Sequence, residues 1–162
     1  MGKFPIETER LVLRPFKKSD AFDYLKLTLD EDIRRYVPYA CPSDLKESQS
    51  NIKDYYMRAD FHHDFYLVIE AKATHKMVGS LIVTQNMNHE YEMSLIISNL
   101  HRRKGYMSEA LKSFIDTMPR GSELLFRIEK DNKPSYGMVS KIRGIKDISS
   151  CYKGIYAFKL TT

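Results

Sequence analysis

Apolar and polar positions alternate along the chain with two different periods, and each period predicts a different kind of element. The middle of residues 7–16 alternates apolar and polar side chains, which predicts a strand. A helix is predicted next, because Ser19 and Asp20 offer an N-cap before apolar residues at helical spacing. The residues expected on its apolar face are Phe22, Tyr24, Leu25, Leu27 and Leu29.

Two further helices are predicted before the period changes. Residues 32–37 have the pattern of a short helix that stops before Pro38. Ser43 is expected to cap the next helix, which extends to about Met57. Three apolar runs joined by short polar connections then predict an antiparallel meander. They cover residues 65–70, 76–84 and 91–98.

The second half of the chain combines helices with strands. Gly105 opens a predicted helix that ends at Pro119. Residues 124–128 have the pattern of a buried strand, residues 134–142 that of a helix, and residues 154–160 that of a final strand. The expected fold class is therefore α/β (α+β), with a mixed, mostly antiparallel sheet flanked by helices.

Composition places the chain among ordinary globular proteins, with 43% hydrophobic and 29% charged residues. This balance predicts a single domain over residues 1–162. No apolar run approaches the roughly 20 residues of a membrane-spanning helix, and Glu7 and Glu9 do not fit a signal peptide. Cys41 and Cys151 are too few for a disulfide framework and wrongly spaced for zinc, and Cys151 is expected in the core. We therefore expect a cytoplasmic protein without a metal.

The net charge of +5 favours an anionic ligand or partner. The basic residues concentrate at residues 102–104 and 141–146 and do not form the long basic stripe with aromatics that is typical of nucleic-acid-binding proteins. An RNA-binding protein that uses the basic loop is therefore the least favoured function.

Residues 91–110 carry the most informative pattern, a strand followed by a basic, glycine-containing loop and a helix. Free backbone amides at a helix N-terminus bind phosphate oxygens, and Gly105 allows the backbone to approach closely. Arg102, Arg103 and Lys104 add positive charge at the same point. The pattern predicts a phosphate-bearing ligand, and on spacing alone a solvated basic turn is an equal alternative.

The same segment resembles the acyl-CoA-binding motif of the GNAT superfamily of N-acetyltransferases. The family pattern, Gln/Arg-x-x-Gly-x-Gly/Ala, is matched by Arg102 and Gly105 and imperfectly by Met107. The chain is also similar to the RimJ/RimL branch, the ribosomal-protein N-terminal acetyltransferases. Three stretches match that branch in order: Thr8-Glu9-Arg10-Leu11-Val12-Leu13-Arg14, Gly105-Tyr106-Met107-Ser108-Glu109-Ala110 and Asn132-Lys133-Pro134-Ser135.

The resemblance implies a GNAT-like domain with a splayed central strand pair and acetyl-CoA as the co-substrate. It implies that the main chain of the strand before the loop pairs with the pantetheine arm, through Leu95, Ile96 and Ile97, and that Asn132 contacts pantetheine. The amides implied to hold the pyrophosphate belong to Arg103, Lys104, Gly105, Tyr106 and Met107.

The chain departs from the family pattern at four points. Met107 stands where a small residue is usual, Ser94 replaces a common glycine, and Val139 occupies the position of a tyrosine acid. The ending of the following helix, at residues 141–145, is one residue longer than in the branch.

Two side chains are candidates for catalysis. Glu92 is expected to act as a general base through water, because it lies on the strand just before the cleft; the alternative is an ion pair on a solvated face. Ser135 is implied by the resemblance to protonate the thiolate; the alternative is a hydroxyl that caps a helix. Tyr36, Tyr39 and Tyr106 are candidates for the border of an acceptor pocket.

The function predicted is transfer of an acetyl group from acetyl-CoA to a primary amine, by an enzyme of the N-acetyltransferase class. The acceptor is either a protein N-terminus, as the resemblance implies, or a small amine. A non-catalytic, acyl-CoA-binding regulatory module is the alternative. Nucleic acid is expected only through a ribosomal acceptor, no membrane partner is expected, and a homodimer is compatible with an exposed final strand.

Overall fold

One eight-stranded sheet organises the computed structural model, which describes residues 4–162. The strand order is β1-β2-β3-β4-β5-β6-β8-β7, and all neighbours are antiparallel except β5 and β6. The strands are β1 (Ile6–Glu7), β2 (Leu11–Pro15), β3 (Asp64–Ala71), β4 (Lys76–Gln85), β5 (Tyr91–Ile97), β6 (Glu123–Glu129), β7 (Lys146–Asp147) and β8 (Ile155–Thr161). The α-helices are α1 (Ala21–Thr28), α2 (Glu31–Tyr36), α3 (Leu45–Asp54), α4 (Tyr106–Ile115) and α5 (Lys133–Val139).

The predicted fold class is confirmed, and so is each long predicted element. The β3–β4–β5 meander and the parallel β5–α4–β6 unit lie where the periods placed them. β1 and β7 were not predicted, because two residues are too few to show a period.

The predicted apolar face of α1 is only partly correct. The buried side chains are Ala21, Tyr24, Leu27 and Thr28, three or four residues apart, as one helical stripe requires. Phe22 and Leu29 are 58% and 57% exposed. They lie seven residues apart and therefore share one face, which is directed away from the buried stripe.

Two predicted caps are also corrected. The Asp20 side chain makes no cap bond to α1; both of its oxygens accept hydrogen bonds from the Arg14 guanidinium, at 2.9 Å each, and Oδ2 also accepts from the backbone amide of Lys17 at 2.7 Å. Asp44, and not Ser43, caps α3 by accepting from the backbone amide of Glu47 at 2.8 Å. At α1 the Arg14 guanidinium draws the predicted cap away from the helix, and at α3 the neighbouring carboxylate of Asp44 replaces the predicted hydroxyl.

Both faces of the sheet are covered, so the central strands are buried on two sides. Leu81 and Val83 of β4 pack into the core beneath α4, whereas Ile82 packs into the core beneath α1 and α3. This alternation follows from the two-residue period of a strand. Cys151 is exposed and not in the core, because it lies in a short 3₁₀ turn before β8.

The final strand is not an edge strand. β8 lies between β6 and β7, and β7 pairs with it at Lys159 and Phe158. The expectation of an exposed final strand is therefore wrong at these positions, because β7 covers that edge. With only two residues, β7 is too short to be predicted from the sequence.

The parallel pair β5 and β6 separates soon after it begins. The strands pair only at Tyr91 with Leu124 and at Glu92 with Leu125, although each strand has seven residues. On its other side, β5 follows β4 closely, and a Cβ atom on Gly79 would lie 2.4 Å from the carbonyl oxygen of Ile96. The predicted splayed strand pair is confirmed, and it opens a cleft in the middle of the sheet.

Candidate active site

The loop between β5 and α4 presents a row of unused backbone donors. Arg103 and Gly105 have positive φ angles of 62° and 78°, which turn the chain sharply into α4. The amides of residues 103–107 donate to no acceptor within the described residues 4–162. Successive free amides at the positive end of a helix form a concave site for phosphate oxygens.

The side chains around this loop have different roles. Arg102 donates to Asp32 at 2.7 Å and to Asp30 at 2.8 Å, so its charge is compensated by the start of α2. Arg103 and Lys104 are exposed and leave net positive charge beside the amides. Met107 is buried in the core beneath α4, so only its backbone amide faces the loop. A large side chain at this position is therefore compatible with phosphate binding.

A tie to the N-terminal strands holds the loop, and the sequence analysis did not identify it. Arg10 Nη1 donates to the carbonyl oxygen of Lys104 at 2.9 Å, and Arg10 Nε donates to Glu109 at 2.7 Å. Glu109 also accepts from Thr8 Oγ1 and from the backbone amide of Arg10. Two of the three stretches that carry the resemblance are thus in contact. Their occurrence together in the RimJ/RimL pattern is the sequence signal that could have predicted this tie.

This tie changes the acidity of Glu109. Burial acts to raise the pKa of the carboxyl group, but the hydrogen bonds from Thr8 and Arg10 together outweigh it, and the pKa lies below the ordinary value. The carboxylate form is therefore the one that holds the loop.

The cleft between β5 and β6 begins where their pairing ends and has a volume of about 300 Å³. Past Glu92, the edge of β5 that faces β6 has no strand partner, so its main chain is available to a ligand. Leu95 lines the cleft, whereas the side chains of Ile96 and Ile97 pack into the two cores.

Glu92 lies at the inner end of this cleft. Its carboxylate forms an ion pair with Arg127 of β6 and accepts from Asn86 at 3.4 Å. The side chain keeps 27% of its surface exposed. The structure thus combines the two alternatives for Glu92, since it faces the cleft and also pairs with a cation.

Ser135 and Asn132 lie together on the opposite wall of the cleft. Asn132 is the N-cap of α5, and its side-chain oxygen accepts from the Ser135 amide at 3.2 Å. The cap is therefore supplied by Asn132, and the Ser135 hydroxyl is not needed for it. Val139, at the position of the family tyrosine, is buried and lines the same cleft.

A second pocket of about 380 Å³ adjoins the cleft on the side of α3. Its walls are rich in tyrosine, with Tyr39, Tyr55, Tyr56 and Tyr66 around it. The two cavities share four residues, and these mark the point where they meet. The shared residues are Tyr39, Glu92, Ser94 and Arg127.

The three predicted tyrosines lie in different parts of the site. Tyr39 borders the second pocket, and its hydroxyl is hydrogen-bonded to Ser94 Oγ. Tyr36 lines the cleft instead. Tyr106 stacks against His101 and lies beneath the Arg10 guanidinium, so it belongs to the phosphate loop. Tyr55, Tyr56 and Tyr66 were missed, because their elements converge only in the folded chain.

Within residues 4–162, no group of three or more histidine, cysteine, aspartate or glutamate side chains is placed to hold a metal ion. No helix in this part of the chain has the length and apolar character to cross a membrane.

The splayed strands and the amide-lined loop fit a long ligand with a phosphate group at one end. Comparison with known families agrees with this geometry, since the family model of the acetyltransferase (GNAT) domain matches residues 10–144. The chain belongs to the GNAT family. The GNAT domains are acetyltransferases that use acetyl-CoA, so the prediction of an N-acetyltransferase enzyme is confirmed.

Solved GNAT structures share the whole fold with this chain. A GNAT acetyltransferase from Bacillus anthracis has a TM-score of 0.79 at 20% identity, covering 98% of both chains. An acetyltransferase from Agrobacterium tumefaciens has a TM-score of 0.77 at 19% identity, covering 100% of this chain and 96% of its own. RimL, an alpha-N-protein acetyltransferase of ribosomal L7/L12, solved with coenzyme A, has a TM-score of 0.77 at 13% identity, covering 97% of both chains.

By sequence comparison, no curated protein matches this chain. The solved GNAT structures therefore establish the fold, and the residues of this chain must carry any statement about the acceptor.

Proposed function

We propose that the protein transfers the acetyl group of acetyl-CoA to a primary amine bound in the tyrosine-lined pocket. The continuity of two cavities carries this proposal. The cleft that suits the pantetheine arm and the pocket beside α3 meet at Glu92, Ser94 and Arg127. A thioester and an amine that enter from opposite sides would come together at a carboxylate.

The cofactor side of the site depends on main-chain groups. The amides of residues 103–107 would hold the pyrophosphate, and the free edge of β5 at residues 95–97 would pair with pantetheine. Asn132 offers its side-chain NH₂ group to the same arm, since its oxygen is used in the cap of α5. Bound acetyl-CoA supplies the acetyl thioester, whose C–S bond breaks as the C–N bond to the acceptor forms.

Glu92 is the proposed general base. A protonated amine must lose a proton before its nitrogen can attack a carbonyl carbon, and a carboxylate at the junction of the two cavities can take that proton directly or through water. Arg127 holds the Glu92 carboxylate at this junction through their ion pair.

Ser135 is the proposed proton donor to the departing thiolate. It faces the cleft from the start of α5, and Asn132 rather than Ser135 caps that helix. After the attack the nitrogen loses a second proton, which balances the proton that the thiolate gains, and the proton removed before the attack is released to solvent. The site thus has an acid and a base on opposite walls of one cleft.

Steady-state kinetics with a primary amine tests these roles. Glu92→Gln should lower kcat by about 100-fold, within the usual range for a lost general base, with the Kd of acetyl-CoA unchanged. Glu123→Gln on the neighbouring strand β6 is the matched control, since Glu123 lines neither cavity. An unchanged kcat in Glu92→Gln would remove Glu92 from the mechanism.

The same assay separates Ser135 from a structural role. Ser135→Ala should lower kcat more than it weakens acetyl-CoA binding, because the hydroxyl acts only as the thiolate leaves. Ser50→Ala on α3 is the control for loss of a partly solvated serine hydroxyl. If Ser135→Ala has the wild-type kcat, another group or water protonates the thiolate.

A further inference from the structure

Two opposite charges lie in contact at the junction of the cleft and the pocket. The Glu92 carboxylate and the Arg127 guanidinium form an ion pair, and both line the two cavities. Their side chains remain 27% and 48% exposed, so an incoming molecule can reach both. The acceptor must therefore bind beside a pair of charges that sums to zero.

The charge of the acceptor decides whether Glu92 and Arg127 can both keep a charged partner once the acceptor separates them. An amine that carries a single positive charge competes with Arg127 for Glu92 and leaves the guanidinium without a partner, which is costly in a partly desolvated site. A molecule with one ammonium and one carboxylate group can replace the ion pair by two new ones. Glu92 then contacts the amine and Arg127 contacts the carboxylate, so every charge stays compensated.

We propose that the acceptor is a free α-amino acid, with its amine at Glu92 and its carboxylate at Arg127. An α-amino acid has its two charged groups on one carbon atom, and Glu92 and Arg127 are directly adjacent. This inference rests on the proposed function, because it names the substrate class of the same site. Arg127 is the residue that selects the carboxylate.

The rest of the pocket indicates an apolar or aromatic side chain on that amino acid. Tyr56 is buried and stacks on Tyr66 with 4.6 Å between the ring centroids, and Ile82 lies beside them. Burial raises the pKa of both phenols, so these rings stay neutral at physiological pH. The volume of about 380 Å³ suits a small molecule.

Matched acceptors test the inference directly. Phenylalanine, phenylalaninamide and 2-phenylethylamine share a side chain and an amine, but only phenylalanine has the carboxylate; leucine and its amide repeat the comparison. We expect kcat/KM to be at least about tenfold higher for the amino acid than for its amide, a typical effect of a lost charged partner. The amine of the amide has a lower pKa than that of the amino acid, so a larger fraction of it is neutral and reactive. This difference acts in the opposite direction to the expected preference and cannot produce it.

Variants of Arg127 provide the second test. In Arg127→Gln, the preference for phenylalanine over 2-phenylethylamine should fall at least about tenfold, because only phenylalanine loses a partner. Arg127→Lys should recover part of the preference, since it keeps the charge. Arg120→Gln is the control, because Arg120 is an exposed arginine that lines neither cavity. The Kd of acetyl-CoA, measured by calorimetry, should be the same in all three variants.

The outcomes separate this inference from the proposed function. Equal rates for amino acid and amide, or an equal fall for both acceptors in Arg127→Gln, would overturn the amino-acid inference and leave acetyl transfer intact. Acetylation of spermidine or of a peptide N-terminus, with no transfer to amino acids, would do the same. Binding of acetyl-CoA without transfer to any of these amines would overturn both.

Discussion

The phosphate loop and the acceptor pocket are built in opposite ways. The loop at residues 102–107 is one continuous segment that offers backbone amides, and its side chains point to the core, to α2 or to solvent. The pocket is assembled from α3, the 3₁₀ turns at residues 38–40 and 56–58, and strands β3 to β6. It offers side chains, among them four tyrosines and an ion pair.

This difference explains how each region tolerates change. Backbone donation survives most substitutions, provided that the loop keeps its shape, so Met107 can replace a small residue. Side-chain recognition changes with a single substitution, so related chains of one fold can take different acceptors. The loop should therefore be sensitive to backbone variants and the pocket to side-chain variants.

The largest effect is expected from a backbone change in the loop. Gly105→Pro removes one of the five amides and cannot adopt a φ of 78°, because proline requires a φ near −65°. We expect the Kd of acetyl-CoA to rise at least about 100-fold, or roughly 2.7 kcal/mol. Calorimetric titration measures it, with circular dichroism to verify the fold.

Gly105→Ala sharpens the same test. It keeps the amide and places a Cβ atom 3.4 Å from Arg10 Nη2, which is ordinary van der Waals contact with the end of a side chain. The strain of a positive φ should weaken binding by about tenfold or less. Equal losses in both variants would show that the loop shape, and not the number of amides, determines affinity.

A second backbone effect is expected at Gly79 of β4, which packs against β5, the strand that leads to the loop. Gly79→Ala would place a Cβ atom 2.4 Å from the carbonyl oxygen of Ile96, which is main chain and cannot move alone. We expect the free energy of unfolding to fall by about 2 kcal/mol, as in other overpacked sites. Gly137→Ala is the control, since nothing lies near its Cβ position in α5, and it should stabilise by about 0.5–1 kcal/mol. Urea denaturation measures both.

A variant of Glu109 tests whether this side chain only holds the shape of the loop or also takes part in the transfer step. Glu109→Gln should lower the free energy of unfolding by about 1.5 kcal/mol, a usual loss for a charged hydrogen bond. The Kd of acetyl-CoA should rise while kcat at saturation stays near the wild-type value, because Glu109 lies outside the cleft. A fall in kcat alone would contradict this role.

The same residue predicts a pH dependence of stability. Because the folded pKa of Glu109 lies below its unfolded value, near 4.3, the carboxylate contributes stability above about pH 4.3. That contribution is lost as the pH falls through the folded pKa. In urea titrations between pH 7 and pH 3, Glu109→Gln should therefore lose less stability than the wild type. Parallel curves would show that Glu109 does not contribute to acid unfolding.

The smallest effect is expected from a single hydroxyl of the pocket. Tyr39→Phe removes the hydrogen bond to Ser94 but keeps the ring, which is 73% exposed. The KM of the amine should rise by about threefold, in keeping with one solvated hydrogen bond, and the Kd of acetyl-CoA should not change. Tyr152→Phe, outside both cavities, is the control. A weaker acetyl-CoA affinity would show that this tyrosine serves the cofactor side.

Most of the fold was predictable because its long elements have clear periods. The meander and the β5–α4–β6 unit followed from apolar runs and from the glycine before α4. The exposed Phe22 shows the limit of this reasoning. Phe22 and Tyr24 are both apolar enough for a core, and only packing against α3 selected the buried one.

The candidate site was predictable to the extent that it is local. Residues 103–107 form one short segment, so glycine, charge and the helix start were visible together in the sequence. The partner of Glu92 was not visible, because Arg127 lies 35 residues further along the chain and reaches Glu92 only across the splayed strands. The cap at Asn132 was likewise not visible in the sequence, which offered the hydroxyl of Ser135 for that role and assigned Asn132 to pantetheine.

The sequence by itself determined the order of strands and helices, the amide-rich loop and the resemblance to GNAT acetyltransferases. These features depend on residues that are neighbours along the chain. The tertiary structure alone decided which side chains surround the acceptor and which carboxylate holds the loop. The physical reason is that ion pairs and cavities arise between segments whose approach depends on the packing of the whole sheet.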